Sequence, residues 1–485
     1  MAGTQMSRRK FLALSATTGL GALLAACGGA APPQASTEPT AAGAAAPTAA
    51  GAAAATAAPV EAAPTSEAPP ELSTDENVID WWHGWGGQGQ KALEEVAKAF
   101  NAENRGFTVV RTQVPSVTEK LLTAIAGGVP PDVETGNISY AELYSRDGFQ
   151  PLDDQIDSSK TFKRSDILDT SWNYSKWGGK TFGVPSVESF LRYALIVNED
   201  LAKKAGLDTT KLPETWDDVF EWHKKMTEFD SAGNVKVVGF DPLDAMGGSW
   251  GGGDPSFWPI DYGFDYWDEN AKTYKLDTPE FVAALKVIKQ FYDHVGAEKM
   301  TAFRKTSGMW TSDPTASFPA GVQGMIVNGY WTPGELAKTA PDKNFVYGWV
   351  PVPADRKGKK IQATGGHNSG IPKGAKKIDK AWQFIEFLTT DKAIDIIFNG
   401  VGWLGASKSY LDKVDTSKYK GLDWYVKSLK EANDIRGMDV DPIEGFTGNE
   451  WTTTREKVTF GQLSPEDAAK QMQDALTKEL KDRGI

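Results

Sequence analysis

Phe318 to Leu336 reads FPAGVQGMIVNGYWTPGEL, and this stretch decides the fold class. Gly324-Met325-Ile326-Val327 is a short apolar run bounded by glycine, the pattern of a strand covered on both faces. Asn328-Gly329 is a turn signal, because both residues tolerate positive φ. Thr332-Pro333-Gly334-Glu335 then offers an N-cap hydroxyl, a proline at the first helical position and a carboxylate three residues past the cap. Trp331 is thereby placed where a strand ends and a helix begins. In open α/β sheets that rim is where ligands collect. On position alone the ring suits a ligand and the core equally well.

The same alternation extends outward. Val78 to Trp82 reads as a strand. A helix from Gln90 to Asn101 places Leu93, Val96, Ala97 and Phe100 on one face, and Phe107 to Val110 is the next strand. Leu121, Ala124 and Ile125 mark a second helix, stopped by Gly127-Gly128 and Pro130, and Asp132 to Thr135 is a third strand. This β-α-β-α-β order implies a parallel sheet with right-handed crossovers. Phe190 to Val197 is a longer apolar strand leaving that unit. Further helices are expected at Thr215 to Glu228 (Thr215 capped with Asp218), Thr278 to Val295, Asp379 to Thr389 and Ser464 to Leu480. Roughly 410 residues after position 75 are too many for one core and enough for two lobes.

The amino terminus has another character. Ser7-Arg8-Arg9-Lys10-Phe11-Leu12 is a twin-arginine export signature, and the weakly apolar stretch from Phe11 to Ala26 is too short to span a bilayer. Leu24-Ala25-Ala26-Cys27 resembles a lipobox. Residues 1–26 are therefore expected to be a lipoprotein signal peptide, with Cys27 the lipidated residue and the membrane a partner through it. Cys27 is the single cysteine, so no disulfide framework or multi-cysteine metal site is possible. Residues 27–75 collapse to Ala, Pro, Thr, Gly and Ser. Such a composition buries too little to offset ordering entropy and makes a disordered linker with an r.m.s. reach of roughly 35–40 Å.

The 52 basic and 64 acidic residues give −12 overall, and removing Arg8, Arg9 and Lys10 leaves 49 against 64. An acidic chain without a basic cluster argues against nucleic acid as a partner. Three motifs point elsewhere. Gly84-Trp85-Gly86-Gly87-Gln88-Gly89 fits the G-x-G-x-x-G of a dinucleotide phosphate loop, yet it follows bulky Trp81-Trp82-His83. The next strand ends in Arg111-Thr112, which holds no acid for a ribose although an arginine could take the 2′-phosphate of NADP. Gly247-Gly248-Ser249-Trp250-Gly251 matches G-x-S-x-G, but Gly252-Gly253-Asp254-Pro255 cannot start the helix a nucleophile elbow needs. His83, His223, His294 and His367 lack metal spacing, and His223 and His294 read as ordinary surface or flank positions on helices.

What remains is an aromatic constellation in loops: Trp82, Trp85, Tyr140, Trp250, Trp258, Trp331, Trp403 and Trp451, among 17 tryptophans in all. Asn137, Glu188, Asp254, Asn328, His367 and Asn368 accompany them. Flat π-faces suit the C–H faces of sugar rings, and amides, carboxylates and imidazoles suit their hydroxyls. Trp216 and Trp382, on helix faces, read as core.

In its blocks and their order the chain resembles the extracellular solute-binding proteins of ABC importers, in the large family that contains the maltose-binding proteins. The blocks are IDWWHG from Ile79, KLLTAIAGGVPPD from Lys120, GKTFGVP from Gly179 and NEDL from Asn198, then TWDD from Thr215, the opening stretch with its N-G-x-W, and VPVP from Val350. TGGHNSGIPK from Thr364 and the helix Ala381 to Leu388 complete the series. The resemblance covers residues 78 to 480. It implies two α/β lobes, 76–187 plus 365–402 and 188–364 plus 403–485, joined by crossings near Glu188, Thr364 and Gly402 and closing over a ligand. It places ligand contacts at His83, Trp85, Asn137, Tyr140, Glu188, Trp331 and Trp451; the loop constellation adds Trp250, Trp258, His367 and Trp403 as further candidates, and the TGGHNSGIPK block adds Gly366. It also implies permease subunits of an importer as partners, a carbohydrate ligand, a monomer, and neither catalysis, cofactor nor metal. The first loop lacks the charged residues of maltodextrin binders, which puts maltodextrin itself in doubt. Two other classes stay open: a secreted NADP-dependent oxidoreductase using the Gly84 loop, and a surface glycosidase with two carboxylates across a cleft.

Overall fold

The computed structural model describes residues 68–136, 140–243, 257–308, 310–437 and 440–485. The export signature, Cys27 and the linker up to residue 67 lie outside the described residues, as do Asn137, Trp250, Asp254 and the G-x-S-x-G loop.

The first half runs β1 (Val78–His83), α1 (Gly87–Asn101), β2 (Thr108–Gln113), α2 (Val117–Ala126), β3 (Val133–Thr135), α3 (Tyr140–Ser145) and β4 (Gly183–Pro185). β5 (Ala194–Asn198), α4 (Trp216–Met226), β6 (Glu228–Phe229), β7 (Val235–Phe240) and α5 (Pro279–Val295) follow. Then come β8 (Gln323–Asn328), α6 (Thr332–Thr339), β9 (Phe345–Gly348), β10 (Asn368–Gly370), α7 (Ile378–Leu388) and α8 (Asp391–Val401). α9 (Leu422–Glu431), α10 (Glu444–Thr459) and α11 (Pro465–Arg483) close the chain. The helix starts read from sequence appear where expected. Thr215 and Asp218 form a reciprocal capping box, and Thr278 and Ser464 cap α5 and α11 through their hydroxyls.

Two five-stranded sheets organise two lobes. The first has the order β2-β1-β3-β10-β4, with β1, β2 and β3 parallel as expected. β10 and β4 extend it through antiparallel pairings, and they flank in sequence the segment 188–364 that enters the second lobe. The second sheet has the order β9-β5-β8-β7-β6. Its central strand β8 is the apolar run of the opening stretch, and all six residues are buried. Its side chains alternate between two cores: Met325 and Val327 join the cluster that holds Trp216 and Phe281, while Ile326 joins the one that holds Ile196, Trp81 and Phe384. Each such side chain contributes roughly 1.5–3 kcal/mol by leaving water. A third cluster, around Trp82, Leu121, Tyr140 and Phe149, covers the other face of the first sheet.

Three details of the opening stretch differ from its sequence reading. Gly329 does not adopt positive φ. It is glycine because the Trp331 ring lies on it, 2.0 Å from where a Cβ would stand. Thr332 is not the cap. Trp331 occupies that position in helical conformation without a capping side chain, and Glu335 takes the Thr311 hydroxyl instead of reaching back. The strand expected at Phe190 to Val197 begins only at Ala194. The residues before it cross between lobes, bridged once, Leu191 to Thr364.

His223 is also not a surface residue. It is fully buried, its Nδ1 accepts the Phe240 N–H at 3.0 Å, and its Nε2 lies 3.1 Å from His294 Nδ1. Burial, then the neighbouring His294, pushes its pKa down to about 3. The unfolded imidazole titrates near 6.5, so this contribution to stability is complete above pH ~6.5 and is lost as pH falls toward 3. An NMR titration should show the His223 ring neutral from pH 8 to 5, and a midpoint near 6.5 would contradict this packing.

Candidate functional site

Three chain segments cross between the lobes and are stitched to one another. Arg192 N donates to Ala363 O at 2.9 Å, His367 N to Glu188 O at 2.8 Å, and Ser189 N to Leu404 O at 3.0 Å. The Tyr330 hydroxyl donates to Leu404 O at 2.9 Å and accepts from Leu404 N at 3.0 Å. Gly366 lies so close to Ser189 that a Cβ would sit 2.4 Å from its Cα.

Charged and aromatic groups gather on this belt. Glu188 and Arg192 pair at 3.2 Å with side chains only 5% and 2% exposed. His367 Nδ1 lies 3.1 Å from Glu188 Oε2, the same oxygen that Arg192 approaches. Burial, then the Arg192 charge, holds the His367 pKa well below its usual range, so the ring is neutral and donates to Glu188 from Nδ1. The Arg192 guanidinium lies over the Trp331 ring, 5.3 Å from its centroid, and Tyr330 meets that ring edge-on.

The loop after β1 brings a second group of rings to His367. Trp85 stands edge-on to it at 4.9 Å, stacks on His83 at 6.2 Å and tilts against Trp403 at 5.3 Å. Gly136, at φ 71, makes room for Trp85, whose indole would lie 2.0 Å from a Cβ there. The glycine pattern of this loop has a similar origin: at Gly89 a Cβ would strike Trp403 at 2.4 Å. At the third glycine of the pattern an indole thus takes the space in which a dinucleotide loop packs its helix closely against the strand. His83 is fully buried beside Arg111, at 2.9 Å, and burial with that charge pushes its pKa down to about 3. The Tyr140 hydroxyl closes this side, accepting Gly136 N at 2.6 Å and donating to Asn368 O at 2.5 Å.

His83, Trp85, Tyr140, Glu188, Trp331, Gly366, His367 and Trp403 thus fall in one connected group. Trp258 and Trp451 do not. Both have no exposed surface and pack in the second lobe's core, Trp258 against Trp216 and Phe257, Trp451 against Phe281. Trp216 and Trp382 are core residues, as expected. The sequence reading missed Arg192 and Tyr330. A signal for Arg192 was present, since a guanidinium inside the apolar run from Phe190 to Val197 must find a counter-charge.

The model of the bacterial extracellular solute-binding protein family matches residues 85–395, well over half of the chain. A binding protein of Brucella abortus (strain 2308) is 26% identical over 312 residues, covering 61% of this chain and 68% of its own. The sn-glycerol-3-phosphate-binding periplasmic protein of Escherichia coli (strain K12) is 27% identical over 156 residues, 31% of this chain and 35% of its own. Among solved structures, CpMnBP1 with mannobiose bound superposes with a TM-score of 0.73 at 22% identity, over 83% of this chain and 100% of that one. The maltose/maltodextrin-binding domain of Bdellovibrio bacteriovorus, bound to maltotriose, gives 0.65 at 19% identity over 83% and 100%. At these identities the structures share the fold. With the two lobes, the belt of crossings and the family match together, the chain belongs to the bacterial extracellular solute-binding proteins, which bind solutes rather than transform them.

Proposed function

We propose that this chain is an extracytoplasmic receptor for a carbohydrate, in the first place an oligosaccharide, which it holds between lobes 76–187 plus 365–402 and 188–364 plus 403–485 and delivers to the permease subunits of an ABC importer. The observation that carries this reading is a connected set at the belt of crossings: Trp85 lies against His367 and Trp403, His367 and Arg192 pair with Glu188, and Arg192 lies over Trp331. Flat rings beside a carboxylate and a neutral imidazole match the two faces of a sugar. Solved proteins of this fold that carry mannobiose and maltotriose support it. The match to a family of solute-binding proteins disfavours the oxidoreductase reading. The name of the E. coli relative supplies a second ligand to test, a polyol phosphate.

A thermal-shift screen with mannobiose, maltotriose, other uncharged saccharides and sn-glycerol-3-phosphate tests the reading. A saccharide at 100 times its Kd stabilises by ~2.7 kcal/mol. Stabilisation by the phosphate alone would replace the carbohydrate by the polyol phosphate.

The receptor is anchored by acyl chains on Cys27, with the Ala/Pro/Thr linker as its tether. Cys27→Ala should give protein that no longer partitions into detergent. Equal membrane retention of this variant would remove the anchor from the account.

A further inference from the structure

Contacts remote from the belt also join the two lobes. Glu142, on α3, belongs to the first lobe, where its neighbours Tyr140, Leu143 and Tyr144 pack with Trp82 and Leu121. Its Oε1 accepts a hydrogen bond from Arg483 Nη1 at 2.7 Å, and its Oε2 accepts the Gly445 N–H at 3.1 Å. Both partners belong to the second lobe, whose core takes in Trp451 of α10 and Leu476 and Leu480 of α11. α10 begins at Ile443, which offers no capping side chain. A first-turn N–H of this helix is therefore served by a carboxylate from the opposite lobe. Glu142 is itself held by Arg146 at 2.8 Å, and its side chain is 15% exposed.

A second contact lies between two hairpins. Trp177, in the Lys176–Trp177 and Lys180–Thr181 hairpin, packs on the first lobe's outer cluster. Lys272, at the turn of the Trp267–Asp268 and Thr273–Tyr274 hairpin, places its ammonium 4.5 Å from the Trp177 centroid and 6.0 Å from that of Trp267. One cation thus bridges an aromatic ring from each lobe. Beside these, Val440 packs on the first lobe's outer cluster while Asp441, next in the chain, accepts the Tyr274 hydroxyl at 2.5 Å.

We propose that Glu142 with Arg483 and Gly445, and Lys272 with Trp177, form a latch that holds the two lobes together in the ligand-free protein and so sets ligand affinity without touching ligand. Affinity scales with the fraction of molecules already in the binding-competent form, so a latch favouring closure tightens binding in proportion. Two weak contacts suit this role, because an irreversibly shut receptor could not load. A partly exposed ion pair contributes about 0.2–1 kcal/mol and an exposed cation–π contact about 0.5–1 kcal/mol, a bias of roughly 1.4- to fivefold each.

The test is an electron-spin distance measurement on the full chain, with spin labels at Glu119→Cys in the first lobe and Glu298→Cys in the second, in a Cys27→Ser background and without ligand. The latch requires a short-distance population matching this structure. Arg483→Gln, Glu142→Gln and Lys272→Ala should each lower the short-to-long ratio by roughly 1.4- to fivefold, and Arg483→Lys should restore most of it. Arg483 and Lys272 lie at a helix end and a hairpin turn, so circular dichroism should show both variants folded. A wild type with no short-distance population overturns the proposal. So do ratios unchanged in all three variants, or Arg483→Lys opening the lobes as far as Arg483→Gln.

Discussion

Replacing Glu188 by alanine is expected to destabilise the protein by about 3–5 kcal/mol. The residue sits at the first crossing, where its carboxylate faces Arg192 at 3.2 Å and His367 at 3.1 Å. Removing it leaves the guanidinium, with 2% of its side chain exposed, in a low-dielectric belt without that counter-charge. The double change Glu188→Leu with Arg192→Met should recover much of the loss, because the pair is costly to break rather than strongly stabilising. Exposed pairs such as Lys98 with Glu95 should show almost nothing when broken. Urea denaturation of the four proteins gives the comparison. A loss below ~1 kcal/mol for Glu188→Ala would mean that water or another carboxylate reaches Arg192.

Trp382→Ala and Trp331→Ala are expected to be about equally costly to stability and to part company on ligand. Both rings are buried, at 7% and 6% exposure, in the same cluster, and truncating such a side chain costs ~3–5 kcal/mol. The position of Trp331 between strand and helix led the sequence reading to a rim platform, whereas the structure gives the ring a core role as well. Trp382 sits on α7, edge-on to Phe162. Its loss should lower stability and leave the affinity of the folded fraction unchanged. Trp331→Ala removes the ring beneath Arg192 and should also weaken binding by roughly 1–3 kcal/mol, about five- to 150-fold. Equal affinity in the two variants would make Trp331 a core residue only.

What could be read in advance was local. Thr215 with Asp218, Thr278 and Ser464 announce helices because a cap and the helix it starts lie within four residues of each other. β8 was legible because a glycine-bounded apolar run admits few other fates. The strands β4 and β10 were not, since their pairing joins Ser369 to Val184 across more than a third of the chain and depends on the lobes having formed. The same holds for the contact between His223 and His294, and for the pairing of Tyr330 with Leu404. At the site, residue type pointed to the right chemistry but not to accessibility. Trp85 and Trp451 both follow or flank polar, glycine-containing sequence, yet one is partly exposed at the crossings and the other is enclosed by Phe281. Gly89 shows the converse, a glycine whose pattern suggested a phosphate loop and whose neighbour is an indole.

The central claim is that an uncharged saccharide binds at the belt where Trp331, Glu188 and His367 meet. Calorimetric titration of mannobiose and maltotriose, with sn-glycerol-3-phosphate in parallel, into the wild type and Trp331→Ala tests it most directly. The wild type should bind a saccharide saturably and one-to-one, and the folded variant should bind it roughly five- to 150-fold more weakly. Binding of the phosphate with no saccharide heat, or saccharide binding of equal strength in both proteins, would contradict it.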